Sequence, residues 1–220
     1  MTTSEHIIIP ERSFTQLSDY ETWASQNWLH QDGTLDAQLH ARGKLDEEVK
    51  ELIEALDDDD SHEIISEAGD VLWTAHASGL NTDIPLSQSL HDTFPLYFPD
   101  AQITAADIDE AAYEHFDGVD KETTQEYLAY HELHLSKAAK QWFKLRDVAR
   151  PSVESFADAY IHLKHSRATF ALANMALAVS YVAQEFAGAS IEDVMQDNYQ
   201  KIEQRIKAGA AVTKNPRVSY

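Results

Sequence analysis

Two pairs of carboxylates on consecutive predicted helices are the residues whose types and spacing could do chemistry. Glu48 and Glu51 are three residues apart, and Glu67 and Asp70 repeat that spacing. Residues three apart on a helix project side by side. A connection of about four to six residues makes consecutive helices antiparallel neighbours. We therefore expect four carboxylates to converge from two facing helices.

Carboxylates this close raise one another's pKa unless a cation lies among them. The chain contains no Cys, and an oxygen-only ligand set favours a hard cation, Mg²⁺ or Mn²⁺. Such ions bind phosphate oxygens and acidify water, which predicts metal-assisted hydrolysis of a phosphate ester or anhydride. The alternative is chance, because a chain with 38 acidic residues places many such pairs on solvated helix faces.

The net charge of −21 restricts the partners that we expect. It predicts no binding to a nucleic-acid polymer or to an anionic membrane, and it requires metal ions between the protein and any nucleotide. The apolar run at 168–183 is shorter than a bilayer span, so we expect a buried helix. The absence of Cys excludes disulfide scaffolds and thiolate metal sites, and with the lack of a signal-like segment it favours a cytoplasmic protein.

Apolar residues recur with helical spacing along the whole chain, and only 7 Gly and 6 Pro are available for turns, which predicts an all-α fold. Capping-box patterns begin at Ser18, Asp60, Thr104 and Ser190. The predicted helices cover residues 18–30, 35–57, 61–78, 104–116, 121–149, 152–187 and 190–208. Prolines that break helical runs and aromatic residues that favour burial predict an irregular crossing into a second helical layer between residues 80 and 99, and not a flexible linker.

The motif Glu47-Glu48-x-x-Glu51, followed by Glu67-x-x-Asp70, resembles the MazG-like all-α nucleoside triphosphate pyrophosphohydrolases, a superfamily that includes dimeric dUTPases and dCTPases. The later Asn198-x-x-Lys201-Ile-x-x-Arg205 motif, with Gly209 after it, is similar to the closing helix of that family.

The chain departs from the family by inserting about a hundred residues between these two blocks. We therefore expect a MazG-like antiparallel helical core over residues 14–80 and 168–209. A helical insertion would occupy residues 81–167, and residues 210–220 would form a tail.

The resemblance implies a reaction and a role for each acidic residue. Glu48, Glu51, Glu67 and Asp70 would hold Mg²⁺ bridging a triphosphate, and Glu47 would orient or deprotonate the attacking water. Attack at the α-phosphorus would release a nucleoside monophosphate and pyrophosphate from an NTP or dNTP, in nucleotide-pool housekeeping. Family members are dimers or tetramers, which implies a homodimer here.

Five further residues are candidates for substrate binding, each with a structural alternative. Lys201 and Arg205 would grip the β- and γ-phosphates, or simply favour the dipole at a helix end. Asn198 could hydrogen-bond the sugar or base, and Lys44 could contact phosphate or only pair with a glutamate. Trp73 could stack on a base, although an aromatic in an amphipathic helix more often lies in the core.

Two alternatives concern the histidines and the acidic surface. His131 and His134, with the lysines that follow them, form a basic face that could close over the triphosphate or be an ordinary solvated face. No Glu-x-x-His motif occurs in the chain, which counts against a helical di-iron site. The non-enzymatic alternative is an acidic all-helical interaction module whose carboxylate pairs do not converge.

Overall fold

The computed structural model describes Ile9 and residues 12–28, 35–80, 84–100, 102–148 and 154–209, without the side chains of 35–39, 138–148 and 154–165. These described parts form eight helices and no strand, which confirms the all-α prediction. The helices are α1 (Leu17–Asn27), α2 (Leu35–Asp57), α3 (Ser61–Leu80), α4 (Leu86–Thr93), α5 (Ala105–Phe116), α6 (Lys121–Val148), α7 (Glu154–Ala187) and α8 (Ile191–Lys207).

Three of the predicted helix starts have the expected capping geometry. The side chains of Thr104 and Ser190 each accept a hydrogen bond from a backbone N–H three residues on, and the Asp at that position accepts one in return. The Asp60 carboxylate accepts from the backbone N–H groups of the residues two and three positions later. The prediction for Ser18 is wrong, because α1 begins at Leu17 with Gln16 at its N-cap.

The predicted irregular crossing between residues 80 and 99 is wrong in part, since α4 occupies its centre. Pro85 stands at the N-cap, where its missing N–H costs no helical hydrogen bond. Leu86 and Leu90, four residues apart, are fully buried and hold the short helix on the core. Pro95 and Pro99 come after its last turn, so they limit the helix without breaking it.

Helix α7 lies at the centre of the fold and packs against α3, α4, α5 and α6. Every described residue from 168 to 183 is buried except Phe170. Among the described residues, one helical stretch, Ser166–Ala187, is long and apolar enough to cross a membrane, and 72% of its most apolar window is buried inside the protein. That burial is typical of a core helix, as the sequence predicts.

A three-residue connection turns α2 back along α3. Asp59 in this connection has a φ of 53°, in the left-handed region that aspartate tolerates better than most residues. The Lys121 ammonium donates to the Leu56 carbonyl at 2.7 Å and also pairs with the Asp59 carboxylate. Helix α3 also packs against α8.

Gly69 lets α3 and α8 approach each other closely. A Cβ built on Gly69 would lie 2.9 Å from Asn198 Cβ and 3.3 Å from the Val194 carbonyl oxygen. A glycine inside a helix lowers helix stability relative to alanine. The close approach of α8 explains why a glycine is found at this position.

Gly69→Ala should therefore destabilise the protein by about 1–3 kcal/mol, because the added methyl group overpacks the α3–α8 contact. Gly43→Ala is the matched control, since a Cβ at Gly43 in α2 meets nothing within 4 Å. That control should stabilise the protein by up to about 1 kcal/mol through helix propensity. Urea unfolding followed by circular dichroism measures both. Equal effects of the two substitutions would contradict the close-approach explanation.

Candidate active site

Three of the four predicted carboxylates meet between α2 and α3. Glu48, Glu67 and Asp70 each offer a ligand oxygen within 4.8 Å of the others; we call these three residues the acidic triad. Glu51 lies beside Glu48, close enough for a hydrogen bond between the two carboxyl groups, but its side chain is exposed. The i, i+3 spacing thus places both pairs on facing sides of the two helices, with Glu51 at the rim.

Burial makes the negative charge of the triad costly. Glu48 is only 7% exposed, and burial together with the nearby Asp70 charge raises the pKa of Glu48 to about 8. Burial also raises the pKa of Glu67 to about 7, against the opposing effect of Lys201. Each charge disfavours ionisation of its neighbours. The triad therefore favours either protons or a cation.

Lys201 on α8 supplies part of the counter-charge. Its ammonium donates to Asp70 Oδ2 at 2.6 Å and to Ser66 Oγ at 2.9 Å, and it lies 3.8 Å from Glu67 Oε1. Burial lowers the pKa of Lys201, but Asp70 and Glu67 outweigh that effect and raise it overall. The lysine predicted to bind phosphate therefore contacts two of the three triad carboxylates.

Asn198 positions Asp70. Its side chain is fully buried, donating from Nδ2 to Asp70 Oδ1 at 3.0 Å and accepting from the Tyr20 hydroxyl at 3.1 Å. The Asp70 carboxylate is therefore held by Asn198 on one oxygen and by Lys201 on the other. With both ends of its amide engaged inside the protein, Asn198 is placed to orient a carboxylate and not to reach a sugar or base.

The remaining charged candidates lie at the edge of the site. Lys44 Nζ is 2.7 Å from Glu47 Oε2 and 3.5 Å from Glu48 Oε1, so it links the rim to the triad. About half of the Glu47 side chain is exposed, which leaves it accessible to water. Arg205 is exposed one turn beyond Lys201, close enough for its charge to lower the pKa of that lysine.

Trp73 belongs to an aromatic cluster inside the protein. It is 5% exposed, and its ring centroid lies 5.1 Å from that of Trp23 and 6.2 Å from that of Trp28. Phe14 and Tyr199 extend the cluster on the other side of Trp23. This burial favours the core role that the sequence left open, because base stacking needs an accessible ring face.

The predicted basic face on α6 is wrong for one of its two histidines. His131 is 2% exposed, and its ring lies 4.3 Å from that of Tyr127 on the inner side of the helix. His134 is partly exposed and Lys137 is exposed. The side chains of the later basic residues, 140–146, lie outside the described part of the chain. Helical spacing alone placed both histidines on one face and did not reveal which one was covered.

The triad has the donor set that a hard divalent cation requires. All three side chains offer carboxylate oxygens, the ligands that Mg²⁺ and Mn²⁺ prefer. Glu67 Oε2 is buried without a hydrogen-bond partner among the described residues. A buried carboxylate oxygen without a partner costs free energy, and a bound cation removes that cost.

Sequence reasoning missed three residues of the site. Ser66 binds Lys201, Tyr20 binds Asn198, and Asp197 is close enough for Lys201 and Asp70 to affect its pKa, which burial raises. Ser66 directly precedes Glu67, and Asp197 directly precedes Asn198. Their position next to a candidate residue was the only feature of the sequence that pointed to them. Tyr20 is 178 residues from Asn198 in the chain, and no spacing rule connects them.

The raised pKa values predict that the metal-free protein loses stability as the pH rises from 6.5 to 8.5. Glu48 and Glu67 hold protons in the folded state that carboxylates with a pKa of 4.5 have lost in the unfolded chain. The unfolding free energy should fall by about 1–2 kcal/mol over this window. Buried His76 and His131, with pKa values lowered to about 4, act in the opposite sense at the lower end of this window, because their unfolded-state pKa of 6.5 leaves them partly protonated up to about pH 7.5.

Urea titrations in EDTA at several pH values would measure this slope. Glu48→Gln should flatten it, because the substituted residue no longer titrates. A saturating divalent ion should also flatten or reverse it, since the ion binds the deprotonated carboxylates. A metal-free protein equally stable at pH 6.5 and 8.5 would contradict the clustering of the carboxylates.

Comparison with known proteins agrees with this geometry. Residues 15–92 match the family model of phosphoribosyl-ATP pyrophosphohydrolase. The match covers about a third of the chain, includes all three triad residues and ends within α4, so α8 lies outside it. No curated protein and no solved structure gave a match. Residues 15–92 are therefore similar to a pyrophosphohydrolase family, whose members are hydrolases that act on phosphoric anhydride bonds.

Proposed function

We propose that this protein is a Mg²⁺-dependent pyrophosphohydrolase that converts an NTP or dNTP to the nucleoside monophosphate and pyrophosphate. The observation that carries the proposal is the acidic triad, with its partnerless Glu67 oxygen, inside the segment that matches a pyrophosphohydrolase family. In this reaction water attacks the α-phosphorus, and the bond between that phosphorus and the oxygen leading to the β-phosphate breaks. Pyrophosphate leaves.

Glu48, Glu67 and Asp70 would hold Mg²⁺, or Mn²⁺, with Glu51 at the rim as a further oxygen donor. The bound ion would neutralise charge on the phosphate oxygens and on the departing pyrophosphate. The role of the chain is to fix these carboxylates before substrate arrives. Asn198 and Lys201 do this for Asp70 by binding its two oxygens.

Glu47 is the residue best placed to accept a proton from the attacking water. It is adjacent in sequence to a triad member, its carboxylate is accessible, and the ammonium of Lys44 lies 2.7 Å from its Oε2. Lys201 and Arg205 would contact the β- and γ-phosphates from α8. Lys201 already lies against the triad, so a triphosphate bound there would meet its ammonium.

The matched family directs attention to one further substrate. Phosphoribosyl-ATP is the substrate in that family's name, and it carries the same triphosphate chemistry. We therefore place it beside the NTPs and dNTPs as a candidate. Nucleotide-pool housekeeping, a homodimer and a cytoplasmic location are parts of the same proposal that follow from the family resemblance and the sequence.

The proposal predicts pyrophosphate release from at least one member of a panel of NTPs, dNTPs and phosphoribosyl-ATP. Release should require Mg²⁺ or Mn²⁺ and stop in EDTA, because the triad alone repels a triphosphate. Coupled detection of pyrophosphate, with chromatography of the monophosphate, measures it. An acidic interaction module would release no pyrophosphate from any substrate and would show no change in melting temperature on addition of Mg²⁺.

Glu48→Gln and Asp70→Asn should each lower kcat by about 100-fold or more while leaving the helical circular dichroism signal intact, since each removes a charge required for metal binding. Asp46→Asn is the matched control. Asp46 lies on α2 two residues before Glu48, is exposed and pairs only with Lys50 at 2.7 Å among the described contacts. It should retain full activity. Full activity in either triad variant would remove the site assignment.

Lys201→Ala should raise KM for the triphosphate by about tenfold, the usual effect of losing a charge-assisted contact. It should not weaken Mg²⁺ binding in the absence of substrate, because the ammonium competes with the ion for Asp70 Oδ2. Steady-state kinetics and Mn²⁺ titration calorimetry separate the two effects. An unchanged KM would reduce Lys201 to a structural counter-charge.

A further inference from the structure

A second concave site lies between α6 and α7, away from the acidic triad. It is a cavity of about 340 Å³, lined by Tyr130, His131, His134, Ser166, Arg167 and Phe170. None of these residues lies on α2, α3 or α8, the helices that carry the triad and its partners. The volume is within the range of about 300–1,000 Å³ that is typical of small-molecule sites.

Two half-exposed aromatic rings form the apolar part of this cavity. Tyr130 is 55% exposed and Phe170 is 50% exposed. Phe170 interrupts an otherwise buried stretch of α7, so an apolar ring faces water at a position where its neighbours are covered. The Tyr130 ring also lies 4.3 Å from the His134 ring, which holds it at the rim. Exposed rings on a concave surface are suited to stack on a planar ligand.

His131 adds an unsatisfied polar group to the wall. Only 2% of the residue is exposed, and its Nδ1 has no hydrogen-bond partner among the described residues. Burial lowers the pKa of His131 to about 4, so the ring is neutral at physiological pH. A buried imidazole nitrogen without a partner costs free energy, and the ring that carries it forms part of the cavity wall.

Arg167 gives the cavity its charge. It is exposed, and the structure gives it no ion pair with any described side chain. In a chain of net charge −21, a guanidinium in a concave site that has no acidic partner among the described side chains is available for an anion. Guanidinium groups bind phosphate oxygens in a bidentate manner.

A neighbouring cavity extends the site along α7 toward the end of α4. It measures about 320 Å³ and shares Ser166 and Phe170 with the first cavity, while Asp92 and Thr93 line its far side. The two cavities are thus adjacent, with Ser166 and Phe170 in the wall of both, and together they make up the groove considered below.

We propose that this groove, which we call the α6–α7 groove, binds a nucleoside monophosphate through stacking on Tyr130 and Phe170 and a phosphate contact with Arg167. The class of ligand follows from the combination of aromatic platform, lone guanidinium and size. A nucleoside monophosphate is also a product of the proposed hydrolysis, so the identity of the ligand rests on that function, while its binding does not require catalysis.

Titration calorimetry of the full-length protein with AMP in EDTA tests the groove separately from the metal-dependent reaction. Saturable binding is expected, and Arg167→Ala and Phe170→Ala should each weaken it by about tenfold or more. Arg205→Ala is the matched control, because it removes an exposed arginine beside the triad and should leave AMP binding unchanged. Ribose 5-phosphate, which lacks the base, should bind at least about tenfold more weakly than AMP.

Three outcomes would overturn the proposal: no saturable AMP binding, binding unaffected by both groove substitutions, or binding lost in Arg205→Ala, which would place the nucleotide at the triad. Circular dichroism establishes folding of each variant. If Arg167→Ala does not fold, Phe170→Ala decides, since it alters a half-exposed ring. A protein that binds AMP in the groove but releases no pyrophosphate would contradict the proposed hydrolysis alone.

Discussion

The central constraint on the site is electrostatic: holding the carboxylates of Glu48, Glu67 and Asp70 close together in a largely buried position costs free energy. Their oxygens lie within 4.8 Å of one another, and burial raises the pKa of two of the three. Lys201 offsets part of this charge, yet one Glu67 oxygen has no hydrogen-bond partner in the part of the chain that the structure describes. A protein maintains such an arrangement against its own stability when the site has a use for it, and a divalent cation removes the cost. The proposed reaction is the use that best fits this chemistry.

The acidic triad is held by packing as much as by charge. Gly69 lets α8 come close enough to α3 for the Asn198 amide to reach Asp70, and the Tyr20 hydroxyl holds the other end of that amide. Three helices that are distant in sequence therefore fix one carboxylate. Preorganisation of this kind is what electrostatic catalysis requires, because the charged groups do not have to reorient when the substrate arrives.

A strongly acidic chain can bind an anionic substrate only where lysine or arginine side chains, or bound metal ions, lie close to the binding site. Lys44 and Lys201 contact the triad from opposite helices, and Arg205 stands exposed beyond them. Arg167 lies apart, in the α6–α7 groove with two exposed rings. With an overall charge of −21, the surface as a whole repels phosphate, so binding of a phosphate depends on local groups such as these cations.

The sequence by itself determined what depends on neighbours along the chain: the helical fold, the capping boxes at Thr104 and Ser190, and the pairing of carboxylates three residues apart. These are local properties, fixed by helical geometry and by hydrogen bonds that span three or four residues. Only the tertiary structure decided which side chains are covered, because burial is set by helices that are far away in sequence. It placed Asn198 and Trp73 inside the protein, where their amide and ring are already engaged, and it covered His131, which helical spacing had placed on a basic surface.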